Sequence, residues 1–117
     1  MHPAVAAAFL ATALLLWIFA SVTRPVRIDV MPRVCMAPCV LRVKTTVQPD
    51  ARNRSLTIAI DGDDFFRSST VGVEGEFGPV TTWAEYPAVP VGDYLATAVV
   101  QRNDASESRD STTVTVR

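Results

Sequence analysis

Histidine is nearly absent from this 117-residue chain, since the one histidine is His2. A serine nucleophile usually depends on a nearby base, and no histidine follows residue 2 to supply one. Structural zinc needs four cysteine or histidine ligands, whereas this chain has two cysteines and that one histidine. We therefore expect no catalytic, cofactor-binding or metal-binding residues, and we predict that the protein is not an enzyme.

The chain also lacks the patterns of nucleotide and nucleic-acid binding. It has no glycine-rich phosphate loop, and its net charge of −1 gives no electrostatic attraction for nucleic acid. The cluster of Asp61, Asp63 and Asp64 would need a glutamate at the twelfth position of a calcium loop, which here is Gly72. A solvated turn is the better interpretation of these aspartates.

Charge is missing from the beginning of the chain. Residues 1–23 contain no Lys, Arg, Asp or Glu, and every charged residue lies from Arg24 onward. Residues 4–22 form an uncharged run that, as a helix, is long enough to cross the hydrocarbon core of a bilayer. Because Pro25 stops a helix, we predict an N-terminal hydrophobic helix over residues 1–24 that contacts the membrane through residues 4–22.

This helix has two functional interpretations. Its length favours an uncleaved transmembrane anchor, whereas its position and the small-residue site at residues 18–20 favour a cleaved signal peptide. A buried core helix is the least favoured alternative. Arg24, Arg27 and Arg33 follow the run, and by the positive-inside rule they would keep the following domain in the cytoplasm. The cysteines instead favour export, so we predict a cell-envelope protein, either membrane-anchored or periplasmic and secreted.

Residues 25–39 are predicted to be an extended linker, with a short edge strand at its end as an alternative, because Pro25 and Pro32 discourage a helix there. The linker contains the chain's two cysteines, Cys35 and Cys39. A disulfide between them is possible if Pro38 turns the chain, and it would stabilise a small exported domain by about 2 kcal/mol. Free thiols and a redox site are the alternatives, although redox sites favour C-x-x-C beside a βαβ unit.

Period-two alternation predicts a β-domain over residues 40–117. Its clearest instance is residues 40–47, where alternate apolar side chains indicate a half-buried strand. Phe66 is expected on the core side of the third strand. The short strands, frequent turns and missing helical period favour a β-sandwich. The five further predicted strands cover residues 54–61, 65–76, 80–86, 93–100 and 112–116.

The fifth predicted strand follows the turn Val89-Pro90-Val91-Gly92 and is apolar on both sides, which is typical of a central strand buried on both faces. With this turn, Tyr94 and the closing TVTV strand, residues 40–117 resemble bacterial immunoglobulin-like or fibronectin III-like domains, here in a small exported protein. The resemblance implies an all-β, Ig-like sandwich of six to seven strands. It also implies that the Tyr94 hydroxyl bonds back to the turn containing Gly92, as a tyrosine corner.

Aromatic residues give the one surface prediction. At most three of the five aromatics from Phe65 to Tyr86 fit into so small a core, and an exposed aromatic patch is typical of a partner surface. The alternative is that they cover the ends of the sandwich. The residues predicted for this surface are Phe65, Phe77, Trp83 and Tyr86.

We therefore predict a non-enzymatic, exported or membrane-tethered Ig-like module for protein–protein interaction or self-association. One alternative is a periplasmic thiol/disulfide-active protein that uses Cys35 and Cys39. Another is an inward-facing accessory subunit of a membrane complex.

Overall fold

The structure, a computed structural model, describes residues 24–117, which form β-strands and no helix. The strands pair into two sheets, a three-stranded sheet with order β1-β3-β6 and a five-stranded sheet with order β2-β8-β7-β4-β5. The all-β prediction is confirmed, and eight strands replace the predicted six to seven. The strands are β1 (Val26–Met31), β2 (Val34–Cys35), β3 (Cys39–Val47), β4 (Asn53–Asp61), β5 (Phe66–Gly72), β6 (Thr81–Val89), β7 (Gly92–Arg102) and β8 (Glu107–Val116).

The predicted hydrophobic helix, with its anchor and signal-peptide interpretations, falls on residues 1–23, which lie outside the described residues. Within residues 24–117 no helix has the length and apolar character needed to span a bilayer.

The segment that we predicted as a linker contributes to the sandwich. In β1, Val26, Ile28 and Val30 are buried while the residues between them are exposed. The strand pairs with β3 along its whole length, from Val26 opposite Val47 onward. The two flanking prolines bound this strand without interrupting it, so the sheet begins well before residue 40.

After β1 the chain crosses from one sheet to the other and back again. β2 pairs in parallel with β8, placing Cys35 beside Val116, and β3 then returns to the three-stranded sheet. The predicted Cys35–Cys39 disulfide is confirmed, with the two Cα atoms 6.2 Å apart. It therefore joins a strand of one sheet to a strand of the other.

The central strand β7 lies in the middle of the five-stranded sheet. Its buried face presents Ala96 and Ala98, both fully buried, whose small side chains let the facing sheet approach closely. The prediction that β7 is buried on both faces is wrong, since Leu95 on the other face is 44% exposed. Among the described residues no layer covers that face. The core is completed by residues from both sheets, including Leu41, Val43, Leu56, Ile58, Ile60, Val100, Val114 and Val116.

Candidate functional site

The four aromatics predicted to form a partner surface are dispersed. Phe77 is 94% exposed in the loop between β5 and β6, whereas Trp83 lies on the outer face of β6 with the Lys44 ammonium 5.8 Å from its ring centre. Phe65 is half-buried and packs edge-on against Tyr94, with ring centres 6.0 Å apart. The structure therefore does not bring these side chains into one patch.

Tyr86 is a correction, because it is buried in the core. Its hydroxyl lies 3.2 Å from the Ile58 carbonyl oxygen and 2.9 Å from the Ser69 hydroxyl, so it links β6 to the opposite sheet. Burial raises the pKa of this phenol. Phe66 is a second correction, since it is 54% exposed. The odd positions of β5, such as Ser69 and Val71, are the partly buried ones, so Phe66 at an even position lies on the outer face.

A different set of apolar side chains is exposed at the end of the sandwich where the chain crosses three times between the sheets. The crossings join β1 to β2, β2 to β3 and β6 to β7. The last two lie side by side, since Cys39 pairs with Val89 in one sheet, while Cys35 and Gly92 both pair with Val116 in the other. We call the exposed apolar residues at these crossings the apolar tip: Met31, Val34, Met36, Val40 and Val91.

The apolar tip is strongly exposed. Met36 is 82% exposed, Val91 69% and Val34 57%, and Met31 and Val40 are nearly half exposed. The β2–β3 and β6–β7 crossings carry no charge, since residues 34–41 and 86–92 contain no Lys, Arg, Asp or Glu. The β1–β2 crossing carries Arg33, and Arg42 pairs with Met31. Several exposed apolar side chains at one end of a molecule are characteristic of a protein interface.

A disulfide and a hydrogen bond brace the tip. The disulfide closes the β2–β3 crossing. At the β6–β7 crossing, the Tyr94 hydroxyl donates a hydrogen bond to the Pro90 carbonyl at 2.7 Å, which is the contact of a tyrosine corner. Glycine suits position 92, because a Cβ there would approach the Tyr94 hydroxyl oxygen to 3.2 Å, a tight contact. Burial, together with the Asp64 carboxylate, raises the pKa of Tyr94.

The opposite end of the sandwich is polar. The Arg52 guanidinium contacts the carboxylates of Asp50 and Asp104, each at 2.8 Å. The bond from Arg52 lowers the pKa of Asp50 to about 2, and the Ser106 hydroxyl together with Arg52 does the same for Asp104. These carboxylates are thus committed to charge pairs in the turns. Across residues 24–117 no three His, Cys, Asp or Glu side chains are placed to hold a metal ion.

The apolar tip had a sequence signal that we did not use. Valines and methionines at or beside the crossings cannot all enter the core, because the crossings lie at the end of the facing sheets. We looked instead for aromatics, whose size draws them into the core, as with Tyr86.

Comparison with known proteins shows the fold. A scan against protein-family models finds no match, and a search of curated proteins finds none either. Among solved structures, the superoxide reductase (neelaredoxin) from Ignicoccus hospitalis is similar over 81% of this chain and 82% of its own, with 13% identity and a TM-score of 0.64. The sulfur carrier protein SoxY from Chlorobium limicola f thiosulfatophilum is similar over 92% of this chain and 96% of its own, with 14% identity and a TM-score of 0.57.

Both similar structures are small β-sandwich, Ig-like folds, and at these identities the likeness shows the fold alone. It also corrects one prediction. We predicted from the missing histidines that the chain is not an enzyme, but superoxide reductases, which are enzymes, share its fold. The sandwich is therefore a scaffold on which catalysis occurs in other proteins.

Proposed function

We propose that this protein is an exported or membrane-tethered Ig-like module that binds a protein partner through the apolar tip. The observation that carries the proposal is the exposure of five apolar side chains at the end of the sandwich that holds the Cys35–Cys39 disulfide. Burial of such side chains stabilises a complex by about 25 cal/mol per Å² of apolar surface removed from water. The disulfide and the tyrosine corner fix the tip before binding, so little conformational entropy is lost.

The direction of the chain supports this role. β1 runs from Val26 to Met31, and Val26 pairs with Val47 at the polar end while Met31 belongs to the tip. The chain thus enters the sandwich at the polar end, where the Gln48 amide donates to the Pro25 carbonyl at 2.9 Å. In a single copy, a tether formed by the preceding residues would present the tip away from the membrane. The Tyr94 corner supports assignment of the sandwich to the immunoglobulin or fibronectin III type.

Site-specific photo-cross-linking in the native host tests the proposal. A photoreactive amino acid at position 36 or 91 should yield the same cross-linked partner. The same probe at position 104, exposed at the polar end, should not yield it. The substitution Val34→Asp should abolish the cross-link at both tip positions. If positions 36 and 91 give no common product, or one that position 104 also gives, the tip is not the binding surface.

The side of the membrane is tested separately. An exported sandwich exposes Cys35 and Cys39 outside the cytoplasm, in keeping with their disulfide. After reduction on intact cells, an impermeant thiol reagent should label Cys35, the more accessible of the two. Labelling only after lysis would favour the inward-facing accessory subunit that the arginines after residue 23 indicate.

Thiol–disulfide exchange is a second candidate function, favoured by the position of the disulfide within the tip. Cys39 is 5% exposed, while Cys35 is more accessible. A thiolate of a partner dithiol would attack the Cys35 sulfur, break the bond to Cys39 and release Cys39 as a thiolate. The partner's second thiolate would then displace Cys35, leaving this chain reduced and the partner oxidised.

The reduction potential of the pair decides between these functions. A value below about −300 mV is that of a structural bridge, and a clearly higher value supports exchange. We do not extend superoxide reduction to this chain. Both cysteines are held in the disulfide, and residues 24–117 contain no histidine that could serve as a ligand for a redox-active metal.

A further inference from the structure

Three of the four sheet edges within residues 24–117 are protected against pairing with another strand. β1 is closed against β8, since the Ile28 amide donates to the Asp110 carboxylate at 3.0 Å. β2 is only two residues long, and the rest of that edge is β8, which the same contact closes against β1. β6 carries a bulge, because Pro87 and Ala88 lie between Tyr86, which pairs with Leu41, and Val89, which pairs with Cys39. Short edges, bulges and prolines are the usual means by which natural sheets avoid edge-to-edge association.

The fourth edge, β5, has none of these protections. It is seven residues long, contains no proline and pairs with β4 without a bulge. Its one charged residue, Arg67, lies over the Phe65 ring at 4.4 Å and donates to the Phe66 carbonyl at 2.8 Å. A regular, nearly uncharged edge of this length is a template for a further strand.

Backbone direction identifies the groups that β5 offers. The Phe65 carbonyl accepts from the Gly62 amide, and the Val73 amide donates to the Arg54 carbonyl, so these odd positions bond toward β4. By the alternation of antiparallel ladders, the backbone groups of the even positions point away from β4. Those positions are Phe66, Ser68, Thr70 and Gly72, and of their outward groups the Phe66 carbonyl already accepts the bond from Arg67.

We propose that two copies of this chain associate through β5, antiparallel and edge to edge, about a two-fold axis at Ser69. In this register the outward-pointing groups of Ser68 meet those of Thr70 of the other copy. The two five-stranded sheets then become one continuous ten-stranded sheet. The inference does not rest on the apolar tip, which uses other residues.

The β5 sequence is self-complementary in this register. Phe66 lies opposite Gly72 on the outer face, where an aromatic ring covers the surface that glycine leaves open. Arg67 lies opposite Val71, so the two arginines do not face each other and like charges are kept apart. A partner of unrelated sequence would need no such symmetry, and the symmetry is why we choose a second copy as the occupant.

Cysteine cross-linking of the full chain in cell envelopes tests the register. The backbone groups of Ser69 bond to β4, so the Ser69 residues of the two copies would form a non-hydrogen-bonded pair. Their Cα atoms would then be about 4.5 Å apart, a distance that a disulfide can bridge. The variant Ser69→Cys should give a product of twice the chain mass under mild oxidation. The matched control is Ser68→Cys. Ser68 is more exposed than Ser69, but in this register it lies opposite Thr70 of the other copy and not opposite the other Ser68.

The proposal is overturned if Ser68→Cys cross-links as well as Ser69→Cys, or if the product contains another protein. A second measurement covers a Ser69→Cys variant that fails to fold. Native mass spectrometry of the unmodified full chain in detergent should show two copies. Ser68→Pro removes an outward amide without losing a bond to β4 and should give one copy, while Ser68→Ala should keep two. A single copy for the unmodified chain at every concentration would also overturn the proposal.

Discussion

Removal of one hydroxyl measures how much the tyrosine corner contributes to the fold. Tyr94→Phe keeps the buried ring and its edge-on contact with Phe65, but removes the 2.7 Å hydrogen bond to the Pro90 carbonyl. A neutral hydrogen bond contributes about 0.5–1.5 kcal/mol net. Pro90 is exposed, so water can reach its carbonyl in the variant, and we expect a loss of about 1 kcal/mol rather than a larger one.

Denaturant unfolding of the full chain measures this loss. An equal slope of the transition in both proteins checks that each unfolds in two states. The matching fall in melting temperature is about 4–8 °C for a domain of this size. Tyr86→Phe is the comparison, because its hydroxyl has two partners and a more enclosed site, so its loss should be larger. If Tyr94→Phe changes the free energy of unfolding by less than ~0.5 kcal/mol, as ordinary surface substitutions do, the hydrogen bond of the tyrosine corner does not stabilise the fold.

Two further perturbations are predicted. Ala88 has a φ of 57° within the β6 bulge, a conformation that costs an L-residue about 1–2 kcal/mol and glycine little. Ala88→Gly should therefore raise the free energy of unfolding, whereas the control Ala84→Gly, in the regular part of β6, should lower it. Tyr86 and Tyr94 are the chain's two tyrosines and both have raised pKa values. The stability that their neutral forms provide is complete below pH ~10 and is lost as pH rises through the raised values. Phenolate absorbance should thus rise together with unfolding above pH ~10, and Tyr86→Phe should weaken that dependence; tyrosines that ionise in the folded state would contradict it.

Most strands could be predicted from the sequence because one face of each is buried and the other is exposed to solvent, which leaves apolar residues at alternate positions. Leu56, Ile58 and Ile60 stand at alternate positions of the chain and are buried in β4. β1 has the same alternation, yet we predicted a linker from its flanking prolines. A proline at the boundary of a strand removes no bond from the ladder, and the burial of Ile28 outweighed the local signal.

The exposure of single apolar residues at the crossings had a signal in the sequence, but their meeting at one end of the sandwich could not be predicted, because it arises only through tertiary contacts. Met36 and Val91 are far apart in the chain, and neither lies in an alternating segment. They come together because β2 and β7 both pair with β8. That pairing is non-local, and no period in the sequence reports it. The large size of Tyr86 led to the wrong prediction that it lies on a partner surface. The side chain is buried instead, because its hydroxyl has two hydrogen-bond partners inside the sandwich.

The proposed β5 pairing constrains how the chain can meet a membrane. An antiparallel two-fold axis lies perpendicular to the sheet, so the two apolar tips point in opposite directions, and so do the two polar ends where the chains enter. Two uncleaved anchors can then reach one bilayer only if the joined sheet lies flat along its surface. A cleaved leader imposes no such orientation. If Ser69→Cys cross-links and the mature protein retains residues 4–22, photoreactive probes at position 36 should contact lipid as well as protein. If the mature protein begins after that run, the same probes should contact protein alone.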